Sequence, residues 1–167
     1  MSEQHEDSAS GLSAFEDSLD YVTVTVGGQL LGLPIGRVQD VFIATRITPV
    51  PLAPYEIVGL INLRGRVVTA ICMRRRMRHA DTGPMPTGTD EQELTAVGLD
   101  QGGEAFALIV DAVGEVMRLS RTTFEPVPIH LDRAWAAIAK GVHRLDDRLL
   151  VVIDVDAVLN IDLPIAA

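Results

Sequence analysis

Two stretches of this chain share one design. "GLINLRGRVVTAI" occupies residues 59–71 and "GVHRLDDRLLVVI" occupies 141–153, 82 positions later. Each opens on a glycine, passes through a polar turn and continues into an apolar run, a pattern that reads as a β-hairpin. A second correspondence runs at an offset of 75, laying "LGLPIGRVQDV" (31–41) over "FALIVDAVGEV" (106–116). The two matches predict two half-domains of about 70 residues with the same strand order, the alternative being chance likeness between aliphatic β sequences. A half of that size is marginal alone, so the halves are expected to bury a common apolar face against each other.

The rest of the chain fits this plan. "YVTVTV" and "QLLGLPI" flank Gly27-Gly28, and "ELTAVGLD" and "EAFALIV" flank Gln101-Gly102-Gly103, each a hairpin with glycines supplying positive φ at the turn. Strands are expected over Ile57–Leu63 and Arg66–Ile71, around Arg64-Gly65. "RITPVPLAP" (46–54), with three prolines, reads as an extended connector or edge. "RAWAAIA" (133–139) fits a short helix or the start of a strand, and "VDAVLN" fits a closing helix. Residues 1–19 are acidic and serine-rich and are expected to form a disordered tail. The expected division is a first lobe at about 20–80, a linker at 81–92, a second lobe at about 93–155 and a helix at 156–163. Short strands with Gly-rich turns, in a chain whose 47% apolar residues are mostly aliphatic, indicate an all-β barrel or sandwich.

No catalytic constellation is present. Cys72 lies within an apolar strand, where a thiol is a packing residue, and as the single cysteine it forms no internal disulfide. His5, His79, His130 and His143 are scattered without metal-ligand spacing, so neither metal nor cofactor is expected. The glycine pairs lack the Lys-Ser/Thr of a phosphate cradle, and no Gly-x-Ser-x-Gly elbow occurs. Asp154 and Asp156 follow an apolar strand at a spacing that suits helix capping. A net charge of −9 argues against nucleic acid as partner. The basic run "RRRMRH" (74–79) could touch nucleic acid, an anionic membrane or an acidic protein, or be a solvated turn; it has no interleaved aromatics for stacking on bases. Asp40 and Arg64 could meet at a lobe edge, either to aim the arginine at a partner or as an incidental ion pair. There is no signal-like segment and no apolar run of about 18 residues, so an intracellular, cytoplasmic protein is expected.

"VQDV" (38–41), "IVGLINLRGRVV" (57–68), "VDAVGEV" (110–116) and "KGVHRLDDRLLVVIDVDAVL" (140–159) together resemble the CheW family of bacterial chemotaxis coupling proteins. The resemblance runs in order from about Tyr21 to Leu163, and "GLINLRG" is its most specific element. It implies two SH3-like five-stranded β-barrel lobes sharing an apolar core, and a non-catalytic adaptor. The implied partners are the regulatory domain of a CheA-type histidine kinase and the cytoplasmic tip of methyl-accepting chemoreceptors, in arrays at the membrane but without membrane insertion. The alternative is a CheW-like scaffold of a paralogous kinase pathway for motility or development. Carried over by position, Val38, Asp40, Asn62 and Arg64 would contact the receptor. A groove lined by Val38, Val110 and Val113 would accept a receptor helix hairpin, and Val41, Ile57 and Gly59 would contact the kinase. The chain departs from the family at Cys72, where an aspartate is usual and which Asp154 matches in the second half, and at Asp40, where glutamate is commoner.

Overall fold

A computed structural model describes residues 18–77, 93–129 and 133–161. Eleven strands run in chain order: β1 (Ser18–Val26), β2 (Gln29–Pro34), β3 (Val38–Ala44), β4 (Ile57–Leu63), β5 (Arg66–Cys72), β6 (Leu94–Gln101), β7 (Glu104–Val110), β8 (Ala112–Ser120), β9 (Phe124–Glu125), β10 (Ala139–Arg144) and β11 (Leu149–Ile153). Among the described residues there are three single-turn helices: α1 (Met73–Arg76), directly after β5, α2 (Arg133–Ala136), shortly before β10, and α3 (Val155–Leu159), just after β11. The 133–139 segment is therefore both of its expected alternatives in succession, a helix and then the first residue of β10.

Three of the hairpin turns form where glycine allows them. Gly27 and Gly28 have φ of 56° and 81°, and Gly102 and Gly103 have 58° and 83°. The third turn places Arg64 at φ 54° ahead of Gly65 at 80°. Positive φ at both central residues matches the right-handed twist of the strands on either side.

The strands assemble into two mixed sheets with the orders β8-β1-β2-β11-β10-β9 and β3-β6-β7-β5-β4. This arrangement corrects the expected lobes at 20–80 and 93–155. Each sheet combines the first hairpin of one half with the remaining strands of the other, β8–β11 in one sheet and β3–β5 in the other. Hairpin β1–β2 is flanked by β8 and β11, and hairpin β6–β7 by β3 and β5. The parallel pairings that complete each sheet, β2 with β11 and β7 with β5, both cross the sequence midpoint. Because the halves are copies, alternation shows which face of a strand is apolar and leaves open which half's hairpin it joins.

The sheets are two SH3-like lobes, and one has six strands where five were expected. The extra strand is β9, two residues long, paired at Glu125 and Phe124 with Val142 and His143. In the other sheet a single bridge between Thr48 and Leu60 takes that place. The 46–54 connector is thereby pinned to the edge of β4, as its prolines suggest. Strand β1 starts at Ser18, so residues 18 and 19, expected in the tail, belong to the sheet. Leu19 packs on a cluster of Tyr21, Leu30, Leu150 and Val152, which explains the earlier start. The closing helix, expected at 156–163, starts one residue earlier and ends at Leu159, with Asn160 as its C-cap. The remaining tail, residues 1–17, and the expected linker at 81–92 lie outside the described residues.

Three apolar clusters hold the molecule. The largest takes side chains from both sheets, among them Val24, Leu31, Leu33, Val97, Leu99, Leu108, Val151 and Ile153. A second, rich in alanine (Ala44, Ala70, Ala96, Ala107), fills the curl of the β3–β7 sheet. The third lies in the other sheet around Tyr21 and Leu150. The shared apolar core is the largest of the three.

The two glycines that open the repeated motif serve one purpose. Gly59 and Gly141 each sit at a register shift in their hairpin, and each lies beneath a crossing chain. A Cβ at Gly59 would collide with the carbonyl of Thr48, and one at Gly141 with the Phe124 ring and the Glu125 carbonyl. The edge segment of each lobe can therefore approach only over a residue without a side chain.

Candidate partner-binding surface

The β3–β7 sheet carries a shallow depression of about 380 Å³ between β3, the β4–β5 turn and the start of β7. Asp40 and Arg64 both border it, over an apolar floor that includes Phe42, Leu63 and Phe106. The expected ion pair between Asp40 and Arg64 does not form. Asp40 lies against Gly98 of β6, where an added Cβ would meet its carboxylate. Arg64 is exposed at the turn, with its backbone in the left-handed region. Arg66 bonds instead to Asp100 at 3.2 Å and to the carbonyl of Gly103 at 3.3 Å. The depression thus presents one carboxylate and one guanidinium that do not neutralise each other, beside aromatic carbon. Such a surface suits a protein partner offering an apolar contact and paired charges.

The other predicted site residues divide by burial. Asn62 is exposed, and its Oδ1 accepts the Gly65 N–H at 3.2 Å, so it holds the turn that carries Arg64. Val38 and Val113 are half-buried and pack on the central cluster, while Val110 is 6% exposed within it. The residues of the expected groove thus border the shared core, Val110 within it and Val38 and Val113 half-buried against it. Of the expected kinase contacts, only Val41 faces outward, at 47% exposure, with Ile43 beside it at 52%. Ile57 is buried, and Gly59 is covered by Thr48.

The basic run is not a free patch in its described part. Arg74 makes two bonds to Asp111, Nε to Oδ1 at 2.8 Å and Nη2 to Oδ2 at 2.7 Å, and this hydrogen bonding raises the arginine's pKa further. Arg75 lies over the Tyr55 ring, 4.2 Å from its centroid, and donates to the Tyr55 carbonyl. Arg76 donates to the carbonyls of Ala157 and Val158 in the last turn of α3. Each guanidinium fastens a different segment to α1. Arg78 and His79 lie outside the described residues.

Sequence reasoning missed His143. Its ring is fully buried in β10, edge-on to Tyr21 and Phe124. The Thr123 hydroxyl donates to the Ser120 carbonyl, so its oxygen accepts from His143 Nδ1–H at 3.0 Å. Nε2 is then left to accept from the Tyr21 hydroxyl at 3.1 Å. The imidazole is satisfied as a neutral group, and burial pushes its pKa below the ordinary value. Burial likewise raises the pKa of the Tyr21 phenol. Cys72 is buried as expected. Asp154 caps α3, its Oδ1 accepting the Ala157 N–H at 3.3 Å, whereas the matching Cys72 precedes α1 without a side-chain cap. Among the described residues no group of His, Cys, Asp and Glu could hold a metal ion.

Comparison with known proteins decides the family. The CheW-like domain family matches residues 20–162. The chain belongs to the CheW family. It is 26% identical over 141 residues to the chemotaxis protein CheW of Klebsiella aerogenes, covering 84% of this chain and 81% of that one. It is 22% identical over 153 residues to CheW of Thermotoga maritima, covering 91% and 92%. The crystal structure of the scaffolding protein TtCheW from Thermoanaerobacter tengcongensis superposes with a TM-score of 0.72 at 26% identity, covering 87% of this chain and 99% of that one. As a CheW-family protein the chain is a non-catalytic scaffold of chemotaxis signalling. No helix among the described residues is long and apolar enough to cross a membrane.

Proposed function

We propose that this chain is an adaptor that couples methyl-accepting chemoreceptors to a CheA-type histidine kinase, working in the cytoplasm within receptor arrays. The observation that carries this reading is the Asn62-Leu63-Arg64-Gly65 turn, which holds an unneutralised Arg64 beside Asp40 at the rim of an apolar depression. Asp40, Asn62 and Arg64 are assigned to the receptor contact. Val41, on the outward face of edge strand β3, is assigned to the kinase contact.

The test is co-purification of the chain with a cognate receptor tip fragment and with a kinase regulatory domain. Arg64→Glu is expected to weaken receptor binding at least about tenfold, as for a charge reversed at a contact centre, while the thermal unfolding midpoint stays unchanged. Val41→Asp is expected to weaken kinase binding and spare the receptor. Full receptor binding by the Arg64→Glu chain would remove Arg64 from the contact.

A further inference from the structure

The exchange of hairpins between the halves is accompanied by two ionic clasps with opposite polarity. In the first, Arg37, in the 3-10 turn that carries the chain from β2 to β3, donates to Asp156 of α3 at 2.8 Å. Gln101, at the end of β6, donates to the same carboxylate oxygen at 3.1 Å. In the second, Asp111, the residue that carries the chain from β7 to β8, accepts from Arg74 of α1 and from the Gly27 N–H at 2.8 Å. The clasps occupy matching places in the two halves: a crossover, the helix after the last strand, and a hairpin turn. The signs are reversed. The first half supplies cations at both of its positions, Arg37 and Arg74, and the second supplies anions at both of its positions, Asp111 and Asp156.

The pairing follows from the parallel strands. β2 runs beside β11, so the crossover after β2 meets the helix after β11; β7 runs beside β5, so the crossover after β7 meets the helix after β5. If each hairpin instead joined the strands of its own half, β2 would run beside β5 and β7 beside β11. Arg37 would then face Arg74, and Asp111 would face Asp156. We infer that the one-sign-per-half placement of Arg37, Arg74, Asp111 and Asp156 selects the exchanged topology over the otherwise equivalent unexchanged one. A duplicated sequence needs such a rule, because its apolar pattern fits both pairings. The choice bears on the surface above, since an unexchanged β3 would leave β6 and carry Asp40 away from Gly98.

The test uses the full chain, refolded from denaturant and observed by amide resonances with interstrand proton contacts. Arg37→Asp combined with Asp156→Arg keeps opposite charges facing at both clasps, yet gives each half one charge of each sign, so both pairings become attractive. Both side chains reach solvent, at 32% and 65% exposure, so the exchange of signs is tolerable sterically. This variant is expected to populate a second monomeric species about tenfold more than the wild-type chain does, with β2–β5 contacts in place of β2–β11. Refolding the wild-type chain in about 1 M salt, where screening reaches contact distances, is expected to raise the same species. A single set of resonances with β2–β11 contacts in the double variant would overturn the inference, as would wild-type refolding whose products are indifferent to salt.

Discussion

His143 carries a dependence on pH that follows from its surroundings. It is neutral in the folded chain, bonded to Thr123 and Tyr21, with its pKa pushed below 6.5 by burial. The unfolded chain takes up a proton near 6.5, and the folded chain resists it. The contribution of this site to stability is therefore complete above pH 6.5 and is lost as pH falls from there toward the lowered folded value. The unfolding midpoint is expected to decline between pH 7 and 5, and His143→Gln is expected to flatten that decline while lowering the midpoint at pH 7. An equal decline in both chains would remove His143 as the cause. Asp20, whose pKa Arg118 lowers by hydrogen bonding, loses its contribution only as pH falls below 3.8, outside that window.

Short helices and edge segments in this fold are held by single side chains from elsewhere. Arg76 satisfies two carbonyls at the end of α3, so Arg76→Ala is expected to cost about 1–3 kcal/mol, measured by chemical denaturation, through acceptors left without a donor. Asp154→Ala, which removes the cap at the other end of α3, is expected to cost about 1 kcal/mol. Gly59→Ala and Gly141→Ala each force a methyl into the chain crossing above and are expected to cost about 1–3 kcal/mol by overpacking. The glycines at 59 and 141 are visible in the sequence as the first residues of the repeat, but their reason is not, because Thr48 and Phe124 arrive from other segments. Gly98 carries a similar signal, a glycine inside an aliphatic strand, which marks the place where Asp40 lies. The run of arginines was misleading for a related cause. Composition reports their charge, whereas their carboxylate, ring and carbonyl partners lie on Asp111, Tyr55 and α3.

Hairpins, turn glycines and the duplication were legible because each depends on residues a few positions apart. The way the halves combine was not legible, since equivalent strands offer equivalent edges. Val110 and Ile57, taken from their position in motifs as contact residues, are buried in the central cluster to which both sheets contribute. The exchange makes a prediction for the whole molecule. Proteolytic cleavage between Met77 and Glu93 is expected to leave the two pieces associated, because each sheet contains strands from both. Separated in denaturant and remixed, the pieces should recover one shared cooperative transition; pieces that part without denaturant would contradict the pairing described. A scaffold is pulled on from two sides, and here the covalent chain itself passes between the lobes at the crossovers after β2 and β7. Drawing the two sequence halves apart would have to pull each hairpin from between two strands of the other half, loading many backbone bonds at once, where two merely adhering halves would peel apart contact by contact.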